Sequence, residues 1–132
     1  MIREHYAAIE AFLQAQGLDV YDADVNDMPS QRYAVVYLDN GRRTSQRLGF
    51  NPQSHARFEF MVRSVGMDTA QCRWVAERVA RIVGERLTVP GWQCRPVESV
   101  YSGTPTRDDD LATNITETID GFAFDSAALA SA

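Results

Sequence analysis

ARFEFMVRSVGMDTAQCRWVAERVARIVGERL, residues 56–87, changes its hydrophobic period once, and that change decides the fold. Up to Gly66 the period is two. Phe58, Phe60 and Val62 fall on one face of an extended chain, and Glu59, Met61, Arg63 and Val65 on the other, as a half-covered strand requires. One face meets helices and the other something more polar. Asp68 or Thr69 can then cap a helix running to about Leu87. At about 100° per residue, Cys72, Val75, Val79, Ile82 and Val83 form one apolar stripe. Arg73, Glu77, Arg81 and Glu85 make an i,i+4 ladder on the opposite side.

Upstream, Ile2, Tyr6, Ile9 and Leu13 recur at helical spacing with Phe12 beside them, so a first helix spans Ile2 to about Gln16 and stops at Gly17. Strands are predicted at Leu18–Tyr21 and Tyr33–Asp39, the second apolar on both faces and therefore central. Asn40 to His55 is rich in turn residues and predicts a long exposed hairpin arm carrying Arg42, Arg43 and Arg47. Downstream, Gly84 weakens the helix end, VPGW reverses the chain with Trp92 as anchor, and CRPVESVYSG returns as one strand. TPTRDDD is a polar loop. ITETIDGFAFDS is a last strand whose apolar phase shifts between Ile115/Ile119 and Phe122/Phe124, which a bulge near Gly121 would repair. The order predicts a single α+β domain over residues 1–132, with a mixed, mainly antiparallel sheet, two helices on one face and a C-terminal tail near 125–132.

The residues argue against most chemistry. Cys72 and Cys94 lie in no CxxC pattern, and the stripe position of Cys72 makes it buried and inert; Cys94 is less determined, with no Cys-His signature around it. His5 and His55 belong to no metal-ligand spacing. Asp108, Asp109 and Asp110 offer oxygen ligands for magnesium or calcium, but the fixed turn and further ligands of such a site are missing, and a solvated or arginine-paired loop is the plainer reading. Nucleophile elbows, phosphate loops and dinucleotide fingerprints are absent from the sequence. No catalytic residue, cofactor or metal is expected. No apolar run is long enough for a membrane span, and the amphipathic start is unlike a signal peptide, so a soluble, unsecreted protein is expected.

Charge is more informative. All 13 basic residues are arginine, a side chain suited to planar, multi-donor interface contacts. Net charge is −5, and residues 108–132 hold six acids and no base, which disfavours a general nucleic-acid binder. Arg42, Arg43 and Arg47 have only Phe50 near them, short of a stacking platform for bases. Trp74 lies nearly opposite the apolar stripe, among Arg78, Arg81 and Glu85. Such an indole is covered either by the C-terminal part of its own chain or by a neighbouring subunit.

Taken in order, the leading helix, the spacing from GLDVYDADV to YAVVYLD, the RFEFMVRSVG strand with its TAQCRWVAERVARIV helix, and VPGWQCRPV followed by TRDDD resemble the tail terminator proteins of long-tailed bacteriophages, especially those of actinobacterial hosts. The GFAFDSAALASA end is more apolar and richer in small residues than that pattern. The resemblance implies a virion protein of the head-tail junction, assembled in the host cytoplasm. It implies a homo-hexameric ring that caps the finished tail tube and meets the head-side connector, with DNA passing through unbound. A neck or tail-completion adaptor, and an unrelated small enzyme, are the alternatives. On the ring reading Trp74, Arg78, Arg81, Arg42, Arg43 and Arg47 are expected at subunit or partner contacts, the C-terminal tail is held by a neighbour, and Asp108, Asp109 and Asp110 face the channel.

Overall fold

The computed structural model describes residues 2–23, 32–43, 55–107 and 115–129. In chain order these form α1 (Ile2–Ala15), β1 (Val20–Asp22), β2 (Tyr33–Leu38), β3 (Arg42–Arg43), β4 (His55–Gly66), α2 (Thr69–Ala80), β5 (Thr88–Val89), β6 (Trp92–Cys94), β7 (Glu98–Tyr101), β8 (Thr106–Arg107) and β9 (Thr116–Ala128). All nine strands belong to one mixed sheet whose long path is β1-β2-β4-β9-β6-β5. Only β1 and β2 pair in parallel; the other pairings are antiparallel. The α+β class and the two helices on one face are as the sequence predicts.

The centre is β4 against β9, paired without a break from His55↔Ala127 to Gly66↔Thr116. Even-numbered residues of both strands face the helices. Phe58, Phe60 and Val62 meet Phe122 and Phe124 there, with Ile9 and Leu13 of α1 and Val75 and Val79 of α2 closing the core from above. His5 is fully buried in this core: its ring stacks on Phe58 at 4.3 Å between centroids, and its Nε2 lies 2.7 Å from Ser126 Oγ. A polar group can sit so deep because Ser126 satisfies it.

The even face of β9 reads Thr116, Thr118, Asp120, Phe122, Phe124, Ser126, so the apparent phase shift is a polar start to one continuous face. No bulge interrupts β9 against β4. Ile115 instead joins Tyr33, Val35 and Val65 in a small cluster on the opposite face. The irregularity lies in β7, where Ser99 pairs with Phe122 and Tyr101 with Gly121, leaving Val100 extra beside Gly121.

Other boundaries differ for local reasons. Asp68 caps α2 by accepting the Gln71 amide at 2.8 Å, and Gln71 Oε1 accepts from Met67 N. The helix ends at Ala80 rather than near Leu87, because the next amides bond back to i−3 carbonyls and Gly84, at φ +86°, donates to Val97 O. Val83 therefore leaves the stripe and is 44 % exposed, while Ile82 stays buried. The ladder Arg73, Glu77, Arg81 and Glu85 forms no ion pair among the described residues; Arg81 Nη1 donates to Gln16 Oε1.

Pro90 and Gly91 (φ +80°) make the two-residue turn between β5 and β6 that VPGW predicts, and Trp92 packs edge-on to His5. The return is two strands, not one: around Pro96 the chain leaves the ladder, and Val97 bonds the end of the α2 turn instead. β3 continues the β2 edge of β4 after a break at residues 39–41, where Asp39 Oδ1 accepts from both Gly41 N and Glu59 N. The arm beyond Arg43, including Arg47, lies outside the described residues. Of the expected C-terminal tail, residues 125–128 are the end of β9, and Leu129 N donates to Gly91 O. The alternation through Ala123, Phe124 and Ser126 lets strand pairing run on.

His5→Ala leaves a cavity beneath α1 and leaves the Ser126 hydroxyl with only the weak Cys94 thiol at 3.7 Å as a side-chain partner. Urea denaturation should show a loss of about 2–4 kcal/mol.

Candidate functional site

The face of the sheet turned away from the helices carries a row of side chains across four strands. Tyr37 of β2 opposes Met61 of β4, Met61 opposes Gly121 of β9, and Gly121 opposes Tyr101 of β7. Tyr37 is 40 % exposed, Met61 44 % and Tyr101 56 %, with Ile119 beside them at 38 %. Period-two alternation puts them there, since every second residue of a strand must face away from the core. Gly121 matters to the row because a side chain there would press on Tyr101. Ion pairs bracket it. Arg63 pairs with Glu117 on one side, and on the other Arg57 reaches Asp125 at 3.4 Å, Glu59 at 3.8 Å and Glu98 at 4.0 Å. An apolar strip rimmed by charge is the composition of a protein contact.

On the helix side, Trp74 is half-buried. The Arg32 guanidinium sits 3.8 Å from its ring centre and that of Arg78 4.0 Å, so two cations stack on the indole. Arg78 Nη1 also donates to the Gln16 carbonyl at 3.0 Å, tying α2 to the end of α1. The ring reaches the core as well, packing against its edge. Trp74 is therefore less separate from the core than its helical angle implies, and only its rim is left for a neighbour.

Two concavities stand out among the described residues. One, of about 280 Å³, lies between the outer side of α2 and β7–β9, lined by Arg73, Glu77, Ser99, Asp120 and the buried Thr118, whose hydroxyl has no hydrogen-bond partner among the described residues. The other, of about 510 Å³, lies where β6 meets the end of β9. Arg86, Arg95 and His55 border it, and Cys94 and Ser126 line it. Cys94 Sγ is 3.7 Å from Ser126 Oγ, which itself bonds His5, so a thiol, a hydroxyl and an imidazole form a chain. Burial spoils that chain as a nucleophile: Cys94 and Ser126 are 3 % and 2 % exposed, and desolvation pushes the Cys94 thiol up even though Ser126 pulls the other way. Cys72, beneath α2, is pushed up to about 11 by burial first and by the nearby Asp120 and Glu117 carboxylates second. No cluster of three or more metal-ligating side chains occurs among the described residues.

Of the residues the sequence singles out, Trp74, Arg78 and Arg81 come together over the end of α1. Arg42 lies at the base of the arm, 4.0 Å from Glu59, and Arg43 pairs with Ala56 through its backbone. Arg47, Asp108, Asp109 and Asp110 lie outside the described residues. His5 and Ser126 are missed as core partners, although His5, Ile9 and Leu13 are spaced by four and Ser126 is in phase with Phe122 and Phe124. Arg32 and the Arg86/Arg95 pair carry no local signal, since only tertiary structure gives them neighbours.

No family model matches the chain, and no curated protein matches it. Its fold is similar to that of solved structures. One is a chain in the virion of a native gene transfer agent (GTA) particle, 16 % identical, with a TM-score of 0.67 and coverage of 92 % of each chain. A second solved chain is 17 % identical, with a TM-score of 0.59, covering 98 % of this chain and 96 % of that one. At such identities the likeness establishes a shared fold. No helix among the described residues is long and apolar enough to cross a membrane.

Both thiols should resist an aromatic disulfide reagent at pH 8 in the native protein, Cys72 because a thiol pushed up to about 11 is there about one part in a thousand thiolate and Cys94 because it is buried, and both should react on unfolding in urea. Fast native labelling of either would contradict the burial described above.

Proposed function

We propose that this chain is a structural virion protein whose copies close into a six-subunit ring, capping the completed tail tube of a long-tailed bacteriophage and joining it to the head-side connector. The observation that carries the reading is the fold shared with the gene transfer agent virion chain over 92 % of both chains. The sequence resemblance to tail terminators points the same way from independent features.

The surface suits the role. A ring of one protein needs two different patches on each subunit, and the molecule has several non-equivalent ones: the Tyr37–Met61–Tyr101 strip, the Trp74 rim with Arg78 and Arg81, and the base of the arm at Arg42 and Arg43. The net charge of −5 suits a subunit past which DNA moves without adhering. No catalytic step belongs to this reading: the thiol-hydroxyl-imidazole chain is almost wholly buried.

Native mass measurement with negative-stain imaging tests it, and six-fold rings are the expected result, alone or in the presence of tail tube. A monomer at high concentration that also leaves tail tubes bare would overturn it; binding to a ring of another protein would favour the adaptor alternative. Trp74→Ala should weaken assembly by about 2 kcal/mol or more per contact with the monomer still folded, since indoles flanked by arginine are typical hot spots. If the variant unfolds while its folded fraction keeps full subunit affinity, Trp74 serves only its own chain.

A further inference from the structure

Among the described residues the long path of the sheet ends at β1 on one side and at β5 on the other, and the two ends differ in charge. At the β5 end the register pairs Thr88 with Gln93, and two residues further out on either strand stand Arg86 and Arg95, both exposed and both lining the larger cavity. Like charges so placed repel each other. Neither guanidinium has a hydrogen-bond or ion-pair partner among the described residues. The carboxylates on that side are otherwise engaged, since Arg57 holds Asp125 at 3.4 Å and reaches Glu98 at 4.0 Å. Glu85 precedes Arg86 but does not line the cavity. Two unpaired, multi-donor cations side by side are arranged for carboxylates.

At the other end Asp22, the last residue of β1, is exposed, and Glu10 of α1 is half-buried. Tyr6 shows that they share one patch: its phenol is pushed up by burial first, and then by the Glu10 and Asp22 carboxylates. Neither acid has an ion-pair partner among the described residues. Asp19, just before β1, has cations closer by: its carbonyl accepts from Ala34 N, two residues after Arg32, and Arg78 bonds the Gln16 carbonyl. From β1 to β6 the path β1-β2-β4-β9-β6 spans about 19 Å at about 4.8 Å per strand spacing. That exceeds the screening length of about 8 Å at physiological salt. Glu10 and Asp22 of a chain therefore lie too far from its own Arg86 and Arg95 to pair with them. A second copy is under no such limit. With three residues in β1 and two in β5, the edges are too short for an extended ladder between copies, so side chains must make the contact.

We propose that the β1 edge of one subunit docks, through Glu10 and Asp22, on Arg86 and Arg95 at the β5–β6 edge of the next. This deepens the ring reading and rests on it: acid and base lie on opposite edges of one sheet, so the contact joins two different patches and passes head to tail around the assembly. Made largely by exposed groups, it governs association rate and weakens as salt rises.

The test uses the full-length chain in three forms: Arg86→Glu with Arg95→Glu; Glu10→Arg with Asp22→Arg; and all four together, which also restores the net charge. Circular dichroism checks folding, and sedimentation velocity reads association. Each reversed pair should weaken self-association by about tenfold or more at low salt. The four-fold exchange should restore it, and so should an equimolar mixture of the two reversed pairs, whose subunits can alternate around an even-membered ring. Should a reversed pair unfold, Glu10→Gln with Asp22→Asn reads the same contact as a loss of salt dependence. Rings that persist in both reversed pairs, or an exchange and a mixture that both restore nothing, would overturn the docking contact while leaving the ring reading intact. A wild-type chain that never self-associates, with or without tail tube, would overturn both.

Discussion

The structure depends on one pairing, the uninterrupted ladder between β4 and β9. Because both strands keep a strict period of two along it, their even residues make a single surface. Phe58 lies opposite Phe124 and Phe60 opposite Phe122, their rings 5.4 Å and 5.3 Å apart. A one-residue slip would send that aromatic layer to the outer face, so the register is fixed by burial. Both helices take their positions from this layer. α1 settles where His5 can stack on Phe58 and reach Ser126, and α2 where Cys72, Val75 and Val79 can cover the other end.

The same ladder fixes what is left exposed. With the phenylalanines committed to the helices, Met61, Ile119 and the charged partners of β4 and β9 must face outward, and β2 and β7 extend that face with Tyr37 and Tyr101. Arg63–Glu117 and the Arg57 cluster bracket the strip and oppose strand pairing out of register. Ion pairs at a partly solvated surface contribute modest stability. Their positions define a contact surface more than they hold the fold together.

By itself the sequence determined the class of fold, the two helices, the central strand pattern, the Pro90–Gly91 turn and the lack of any recognisable catalytic motif, because all of these are written in short-range periodicity and turn chemistry. It also marked Trp74 as unusual. Only tertiary structure decided the rest. The phase of β9 looks broken until β4 lies beside it and Thr116 and Thr118 are seen to share a face with Phe122. α2 looks longer until Val97 takes the Gly84 amide. Trp74 meets Arg32, a residue 42 positions away, and His5 meets Ser126, 121 positions away. Periodicity encodes which face a residue occupies, not which distant residue will share it. That second fact is set by sheet order, and sheet order is a property of the whole packed chain.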